Sequence, residues 1–328
     1  MSKIAVLGSG SWGVTLANVL AEKDNDVIVW TIEADVEKDI NSNHKNSKFL
    51  GDIELSHRLT CTLDIEKALE HADYVMWAIP TQVIRIVLKQ HESKLNKNIT
   101  HISVSKGLEA STDKRVSEIF SEFGITNYVY LAGPSHAEEV AKRMATTLSS
   151  ISLNPAHAKN VQELFNTENL RVYTNDDLVG TELSGAFKNV VAIAAGICDG
   201  YGLGDNAKAA LMTRSLVEFA RLLDSFGANK ETIMGLTGIG DLIATCTSLH
   251  SRNRHVGNEL GLGKSLKEIL DNMVMVAEGV KTCEAFYNLA KKKNIDMPLV
   301  EATYNVMFNN ASVSETVQEL MTRQLKSE

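Results

Sequence analysis

Apolar residues in the first half of the chain come in short runs rich in Val, Ile and Leu. Between the runs lie stretches whose apolar positions recur every three to four residues. The short runs predict strands at 3–7, 27–30, 59–62, 74–79, 99–104, 128–131, 145–152 and 170–174. The intervening periodicity predicts helices, among them 15–22, 82–91, 116–123 and 155–166. Such alternation is the signature of a mostly parallel sheet covered on both faces. The polar stretch 44–58 reads as a surface loop.

After Asn175 the strand pattern stops. Segments 176–197, 206–226, 237–246, 252–261, 265–271, 279–293, 297–309 and 314–325 all read as helices. Gly200, Gly202, Gly204, Gly227, Gly235, Gly261, Gly263 and Pro298 supply their stops. In the second of these helices Leu216, Phe219, Ala220 and Leu223 face one way, with Glu218, Arg221 and Asp224 toward solvent. The expected plan is a Rossmann-like α/β domain over 1–175 followed by an all-α domain over 176–328. No internal repeat or low-complexity tract interrupts it.

Composition narrows the function classes. With 328 residues, 44% hydrophobic and 23% charged, the chain can build two cores. A net charge of −8 argues against general nucleic-acid binding, while leaving room for a small anion in a local basic pocket. Cys61, Cys198, Cys246 and Cys283 are far apart and form no CxxC or Cys/His cluster. They read as free thiols of a cytoplasmic protein without structural zinc. The strand at 3–7 leaves no room for a signal peptide, and no apolar run is long enough to cross a bilayer.

The first strand runs into Gly8-Ser-Gly10-Ser11-Trp12-Gly13, a GxGxxG that opens a helix. The first glycine allows the tight turn, the second lets a diphosphate approach, and the third packs helix on strand. Thr31-Ile32-Glu33 follows the second strand, and no arginine lies between the glycine loop and Arg58. An acid there suits a free ribose 2′-hydroxyl, so NAD(H) is favoured over NADP(H). Two alternatives stay open: Glu33 starts the next helix, or Lys38, Lys45 or Lys48 reaches a 2′-phosphate.

The most informative helix opens with Asn175-Asp176-Asp177 and carries one lysine, Lys188, in a long apolar run. Thr181, Ser184, Gly185, Val191, Ala192 and Ala195 lie at helical spacing from it. That face is mostly small, so a ligand can approach beside an ammonium. Leu183, Phe187, Val190 and Ala194 form the opposite, core-facing stripe. The plain alternative is a lysine that only extends its stem to water. Apolar surroundings favour the other reading, because desolvation fits a lysine for proton transfer near neutral pH. It lies just past the junction, and small-molecule sites are common between domains.

Other stretches look over-specified for packing. Lys106-Gly107 ends the strand at 99–104, at the rim where open sheets bind ligands. Gly133-Pro134-Ser135-His136-Ala137 is a turn feeding a helix start. Ser251-Arg252-Asn253 reads as a capped helix start bearing a guanidinium, a phosphate cradle or else a solvated basic turn. Asp241 either orients Lys188 or a substrate hydroxyl, or caps a helix; Glu278 is equally ambiguous.

Taken together, GSGSWG (8–13), SKGLE (105–109), GPSHAEEV (133–140), ELSGAFKNVVAIAAGICDGYGLGDNAKAAL (182–211), GLTGIGDLIATCTS (235–248), HSRNRHVG (250–257) and VAEGVKT (276–282) resemble bacterial NAD(P)-dependent glycerol-3-phosphate dehydrogenases over nearly the whole length. The resemblance implies a Rossmann domain joined to a helical domain similar to that of 6-phosphogluconate dehydrogenase, usually as a homodimer. It implies Lys188 as proton acceptor. It places Lys106, Gly133, Ser135, Lys188, Asp241, Ser251, Arg252 and Asn253 on sn-glycerol 3-phosphate, a glycerophospholipid precursor. Ser11, Trp12, Lys106, Ala137, Arg252, Val276 and Glu278 would contact the dinucleotide, beside Gly8, Gly10 and Gly13 of the loop. A basic residue often follows the second strand in this family; Thr31-Ile32-Glu33 stands there instead.

The chemistry agrees with this set. Neutral Lys188 would take the 2-hydroxyl proton in oxidation, and its ammonium would return it in reduction of dihydroxyacetone phosphate. Lys106 and Lys188 can polarise the carbonyl without a metal. His136 and His250 are rival bases in polar turns. The competing functions are another lysine-based hydroxyacid or 6-phosphogluconate dehydrogenase, and a non-catalytic dinucleotide sensor.

Overall fold

The computed structural model describes residues 1–70, 72–273 and 275–325. Two compact units share the chain. The first holds Met1–Lys106 and Lys114–Glu182; the second holds Gly107–Asp113 and the chain from Leu183 onward. The division falls within the helix Leu178–Tyr201.

In the first unit one sheet is built from β1 (Lys3–Leu7), β2 (Asp26–Trp30), β3 (Leu59–Thr62), β4 (Tyr74–Trp77), β5 (Thr100–Ser103), β6 (Tyr128–Ala132), β7 (Thr146–Ile151) and β8 (Leu170–Asn175). All eight stand where the apolar runs placed them, with ends moved by a residue or two. The order is β3-β2-β1-β4-β5-β6-β7-β8. Pairing is parallel except between β6 and β7. β1 lies between β2 and β4, with Leu7 level with Trp30 on one side and Trp77 on the other. The turn after Leu7 therefore opens where the strand order reverses, the usual ligand position of an open α/β sheet.

Strand alternation builds two cores from one strand. Ile4 and Val6 enter one with Val14, Leu16 and Leu20. Ala5 and Leu7 enter the other with Trp77, Ile84 and Phe120. Helices Ala34–Asn43 and Ile65–Leu69 fill two further connections, and Glu33 is the N-cap residue of the first of them. The 44–58 stretch, expected as a loop, carries the short helix Ser47–Leu50 and a bridge between Lys45 and Glu54. Buried Glu182 accepts from Arg115 Nη1 at 2.9 Å, the Ser117 N–H at 2.8 Å and Tyr128 Oη at 2.9 Å. Burial pushes this carboxyl above its ordinary range, with the Arg115 guanidinium opposing.

Past Asn175 the described residues contain helices and no strand. Phe187 stacks on Phe219 at 5.2 Å and meets Phe286 edge-on at 5.9 Å, joining three helices in the second unit's core. Three expectations need correction. Gly200 does not stop the helix Leu178–Tyr201 but lies inside it, where a Cβ would stand 2.1 Å from the Asn258 carbonyl oxygen. The helix expected at 237–246 is broken at Gly238 (φ −85°, ψ −112°) and becomes regular only over Asp241–Thr247. Glu218, placed toward solvent, is buried; its carboxylate accepts the Leu299 N–H at 2.7 Å, serving the start of the helix Pro298–Phe308. The need of that helix for an acceptor outweighed the side chain's polarity.

Candidate active site

The glycine loop has the shape a dinucleotide requires. Gly8 has φ +116°, and a Cβ there would lie 2.5 Å from the Ala78 carbonyl oxygen. A Cβ on Gly13 would lie 2.4 Å from the Gly8 oxygen. Both are therefore obligatory for the fold. At Gly10 nothing stands within 4 Å, so its missing side chain leaves open space. The helix Ser11–Glu22 begins there with no side-chain cap hydrogen bond, and a helix start of this kind favours an anion. This cradle fits a diphosphate.

Beside the loop, Ser9 Oγ and Thr31 Oγ1 are 2.7 Å apart, and the Glu33 N–H donates to Thr31 Oγ1 at 3.1 Å. Lys48 pairs with the Glu33 carboxylate and lies 3.8 Å from Asp35, whereas Lys45 is engaged with Asp52 at 3.2 Å. Of the three lysines considered, Lys48 is the one at Glu33. Beyond β5, Lys106 Nζ donates to the Gly133 carbonyl at 3.1 Å, and Ser135 Oγ donates to the same oxygen at 3.0 Å. Gly133 has φ +148°, and a Cβ would lie 2.9 Å from Thr147 O. Ala137 is buried at the start of the helix Ala137–Ala141.

In the second unit Lys188 is buried at mid-helix. Its Nζ stands 2.9 Å from Asp241 Oδ1 and donates to Thr245 Oγ1 at 2.7 Å. Thr245 Oγ1 in turn reaches the Asp241 carbonyl at 2.6 Å. The break at Gly238 delivers Asp241 to this position; a Cβ there would lie 2.2 Å from Ile233 O. Ser184 Oγ, on the small face of the lysine helix, donates to the Thr237 carbonyl and fastens the same loop. Thr245 was not among the expected residues. Its signal was its spacing, one helical turn after Asp241 on the same face.

The second cluster gathers around the helix Arg252–Gly261. Ser251 Oγ accepts the Arg254 N–H at 3.2 Å and caps it. Arg252 Nη1 donates to the Val276 carbonyl at 3.2 Å. Asn253 Oδ1 accepts the Gly279 N–H at 2.9 Å, tying this helix to the start of Glu278–Lys293. Ser251, Arg252, Asn253, Val276 and Glu278 are thus one neighbourhood. Arg254 is turned away, onto Asp199 at 2.6 Å. Of the rival bases, His250 is exposed and His136 precedes a short helix. The four cysteines are buried free thiols. No helix among the described residues is long and apolar enough to cross a membrane.

Comparisons with known proteins identify the family of the chain. Residues 3–158 match the family model for the N-terminus of NAD-dependent glycerol-3-phosphate dehydrogenase, and residues 177–318 match that for its C-terminus. Curated proteins named glycerol-3-phosphate dehydrogenase [NAD(P)+] from Bacillus cytotoxicus and Staphylococcus aureus are each 48% identical over 332 residues, covering 100% of this chain and 97% and 100% of theirs. The crystal structure of glycerol-3-phosphate dehydrogenase from Coxiella burnetii superposes with a TM-score of 0.93 at 34% identity, covering 98% of this chain and 99% of its own. A glycerol-3-phosphate dehydrogenase from Saccharomyces cerevisiae gives 0.83 at 28% identity, covering 97% and 98%. The chain belongs to the NAD-dependent glycerol-3-phosphate dehydrogenase family.

Proposed function

We propose that this oxidoreductase interconverts dihydroxyacetone phosphate and sn-glycerol 3-phosphate, using NAD(P)(H) and Lys188 as general acid and base. The observation that carries this reading is the buried Lys188 ammonium, held by Asp241 at 2.9 Å and Thr245 at 2.7 Å. A lysine that only needed water would not be placed there.

The dinucleotide, when bound, supplies or accepts the hydride at substrate C2. Residues 1–175 bind it through Gly8, Gly10, Ser11, Trp12, Gly13, Lys106 and Ala137; Arg252, Val276 and Glu278 of the helical domain, 176–328, complete the set. For reduction, Lys188 gives a proton to the C2 oxygen; for oxidation, its neutral amine takes the 2-hydroxyl proton. Asp241 balances the ammonium charge and, through Thr245, fixes the direction of Nζ. Arg252, with Ser251 and Asn253 at its helix start, takes the phosphate and thereby orients C2. Lys106, Gly133 and Ser135 contact the substrate, with the Lys106 charge favouring negative charge developing on oxygen.

NAD(H) is the favoured cofactor: Glu33 follows β2 as the N-cap residue of the helix Ala34–Asn43, and an acid after the second strand suits a ribose 2′-hydroxyl. The protein works as a cytoplasmic homodimer that supplies sn-glycerol 3-phosphate to glycerophospholipid synthesis.

The test is loss of reduced-cofactor absorbance at 340 nm, with dihydroxyacetone phosphate and either NADH or NADPH and no added metal. Rapid oxidation that needs the phosphate supports the proposal. Folded protein that binds NADH but turns over no keto phosphate overturns it in favour of a sensor; turnover of a hydroxy acid alone favours the related dehydrogenases.

A further inference from the structure

Three consecutive residues, Arg252, Asn253 and Arg254, open the same helix but are used differently. Arg252 is exposed and hydrogen-bonds to the Val276 carbonyl, and Asn253 ties down Gly279. Arg254 is mostly buried and committed to Asp199, donating from Nε at 2.8 Å and from Nη2 at 2.6 Å. Asp199 also holds Lys208 Nζ at 2.7 Å on its other oxygen.

Asp199 lies on the lysine helix, and there the two helices touch backbone to backbone. Gly196 and Gly200 on one helix answer Gly257 and Gly261 on the other, each pair four residues apart. A Cβ on Gly257 would lie 1.9 Å from Ile193 O, one on Gly196 2.1 Å from Arg254 O, and one on Gly261 2.6 Å from Ile197 O. So close an approach fixes the spacing of the helices but not their sliding or rotation. The Asp199–Arg254 pair, at the edge of the glycine contact, is placed to fix both.

We infer that Asp199 is a positioning residue for phosphate recognition, acting through Arg254; this rests on the phosphate role proposed for Arg252. Asp199 does two things. It pins the first turn of the Arg252 helix to the helix that carries Lys188, so that phosphate grip and proton donor keep a fixed separation. It also neutralises the Arg254 guanidinium, leaving Arg252 as the arginine of that turn offered to the phosphate. Without Asp199, Arg254 becomes a second unpaired cation beside the first and competes for the same anion in a wrong register.

The test uses the full-length enzyme and three variants: Asp199→Asn, Arg254→Gln and the double. Wild-type turnover of dihydroxyacetone phosphate is measured first, since its absence would sink the substrate reading and not the pair. With turnover present, Asp199→Asn is expected to raise KM for dihydroxyacetone phosphate about tenfold, with kcat within about threefold and NADH affinity unchanged. Inhibition by inorganic phosphate should shift with KM. The double variant should resemble Arg254→Gln, because with the guanidinium gone Asp199 has nothing left to pin and no freed cation competes. An unchanged KM with only a lower thermal midpoint makes the pair structural and overturns the inference, as do additive KM effects or a parallel loss of NADH binding. If Asp199→Asn does not fold, Arg254→Gln carries the KM readout alone, and an unchanged KM there overturns it too.

Discussion

Lys188 Nζ and Asp241 Oδ1 stand 2.9 Å apart, with only 8% and 3% of their side chains exposed. Such a pair is costly to break from one side, because the surviving charge stays buried; the loss is about 3–5 kcal/mol. Lys188→Ala should therefore lower both the thermal midpoint and kcat, the latter by about 10²-fold or more, while NADH still binds. Lys188→Met combined with Asp241→Asn separates the two effects. It should recover most of the midpoint and remain inactive. Near-normal kcat in either variant removes Lys188 as the proton carrier.

Arg252 offers a largely solvated guanidinium at a capped helix start. Arg252→Ala should weaken dihydroxyacetone phosphate and sn-glycerol 3-phosphate by about 10- to 100-fold, the worth of a charge-assisted contact. Free glycerol, a poor substrate throughout, should be almost unaffected in kcat/KM. Equal losses on both would mean that Arg252 does not read the phosphate.

Much of this arrangement was legible in the sequence, and the exceptions share a cause. The eight strands and the glycine loop declare themselves locally, through β-rich runs and turn chemistry. Lys188 stood out because a lone charge in an apolar helix is a local anomaly. What was missed depends on a partner far along the chain. Gly200 looks like a stop until Asn258 is seen against it. Glu218 looks solvated until the start of Pro298–Phe308 is seen to need an acceptor. Asp199 has no local signature, since Arg254 lies 55 residues away.

Gly10 differs from its neighbours in a way that separates binding from folding. A methyl group at Gly8 or Gly13 would strike backbone oxygen at 2.5 or 2.4 Å, whereas one at Gly10 meets nothing within 4 Å. Gly10→Ala should cost no more than about 1 kcal/mol of stability, the range of an N-cap change. It should weaken NADH binding by an order of magnitude or more, read by fluorescence titration. Unchanged NADH affinity would show that the diphosphate does not sit over Gly10.

Glu33 and Lys48 bear on cofactor choice. Their pairing engages the Lys48 ammonium, and a 2′-phosphate bound beyond β2 would have to compete with Glu33 for it. Lys48→Ala should leave NADH kinetics nearly unchanged and reduce kcat/KM for NADPH about tenfold, the lower end for a charge-assisted hydrogen bond. Glu33→Gln should shift the ratio toward NADPH by releasing Lys48 and replacing the charged acceptor for a 2′-hydroxyl with a weaker, neutral one. Identical cofactor ratios in both variants and the wild type would place selectivity elsewhere.

Glu218 gives a prediction about stability against pH. Burial pushes its carboxyl up to about 7, against the opposing pull of the Leu299 and Val300 N–H groups and Arg221. The unfolded chain releases this proton near the ordinary carboxylate range, about 4.3, so between there and 7 the folded state binds the extra proton. Stability from this group is then complete below the unfolded value and is lost as pH rises through about 7. Glutamine keeps an oxygen to accept from Leu299 and has no proton to lose. Glu218→Gln should match the wild type in thermal midpoint near pH 4.5 and exceed it near pH 8, by an amount on the order of 1–3 kcal/mol at most. A variant that is less stable than the wild type at pH 8 would mean that the charged carboxylate is the better partner for that helix start, and that burial does not dominate there.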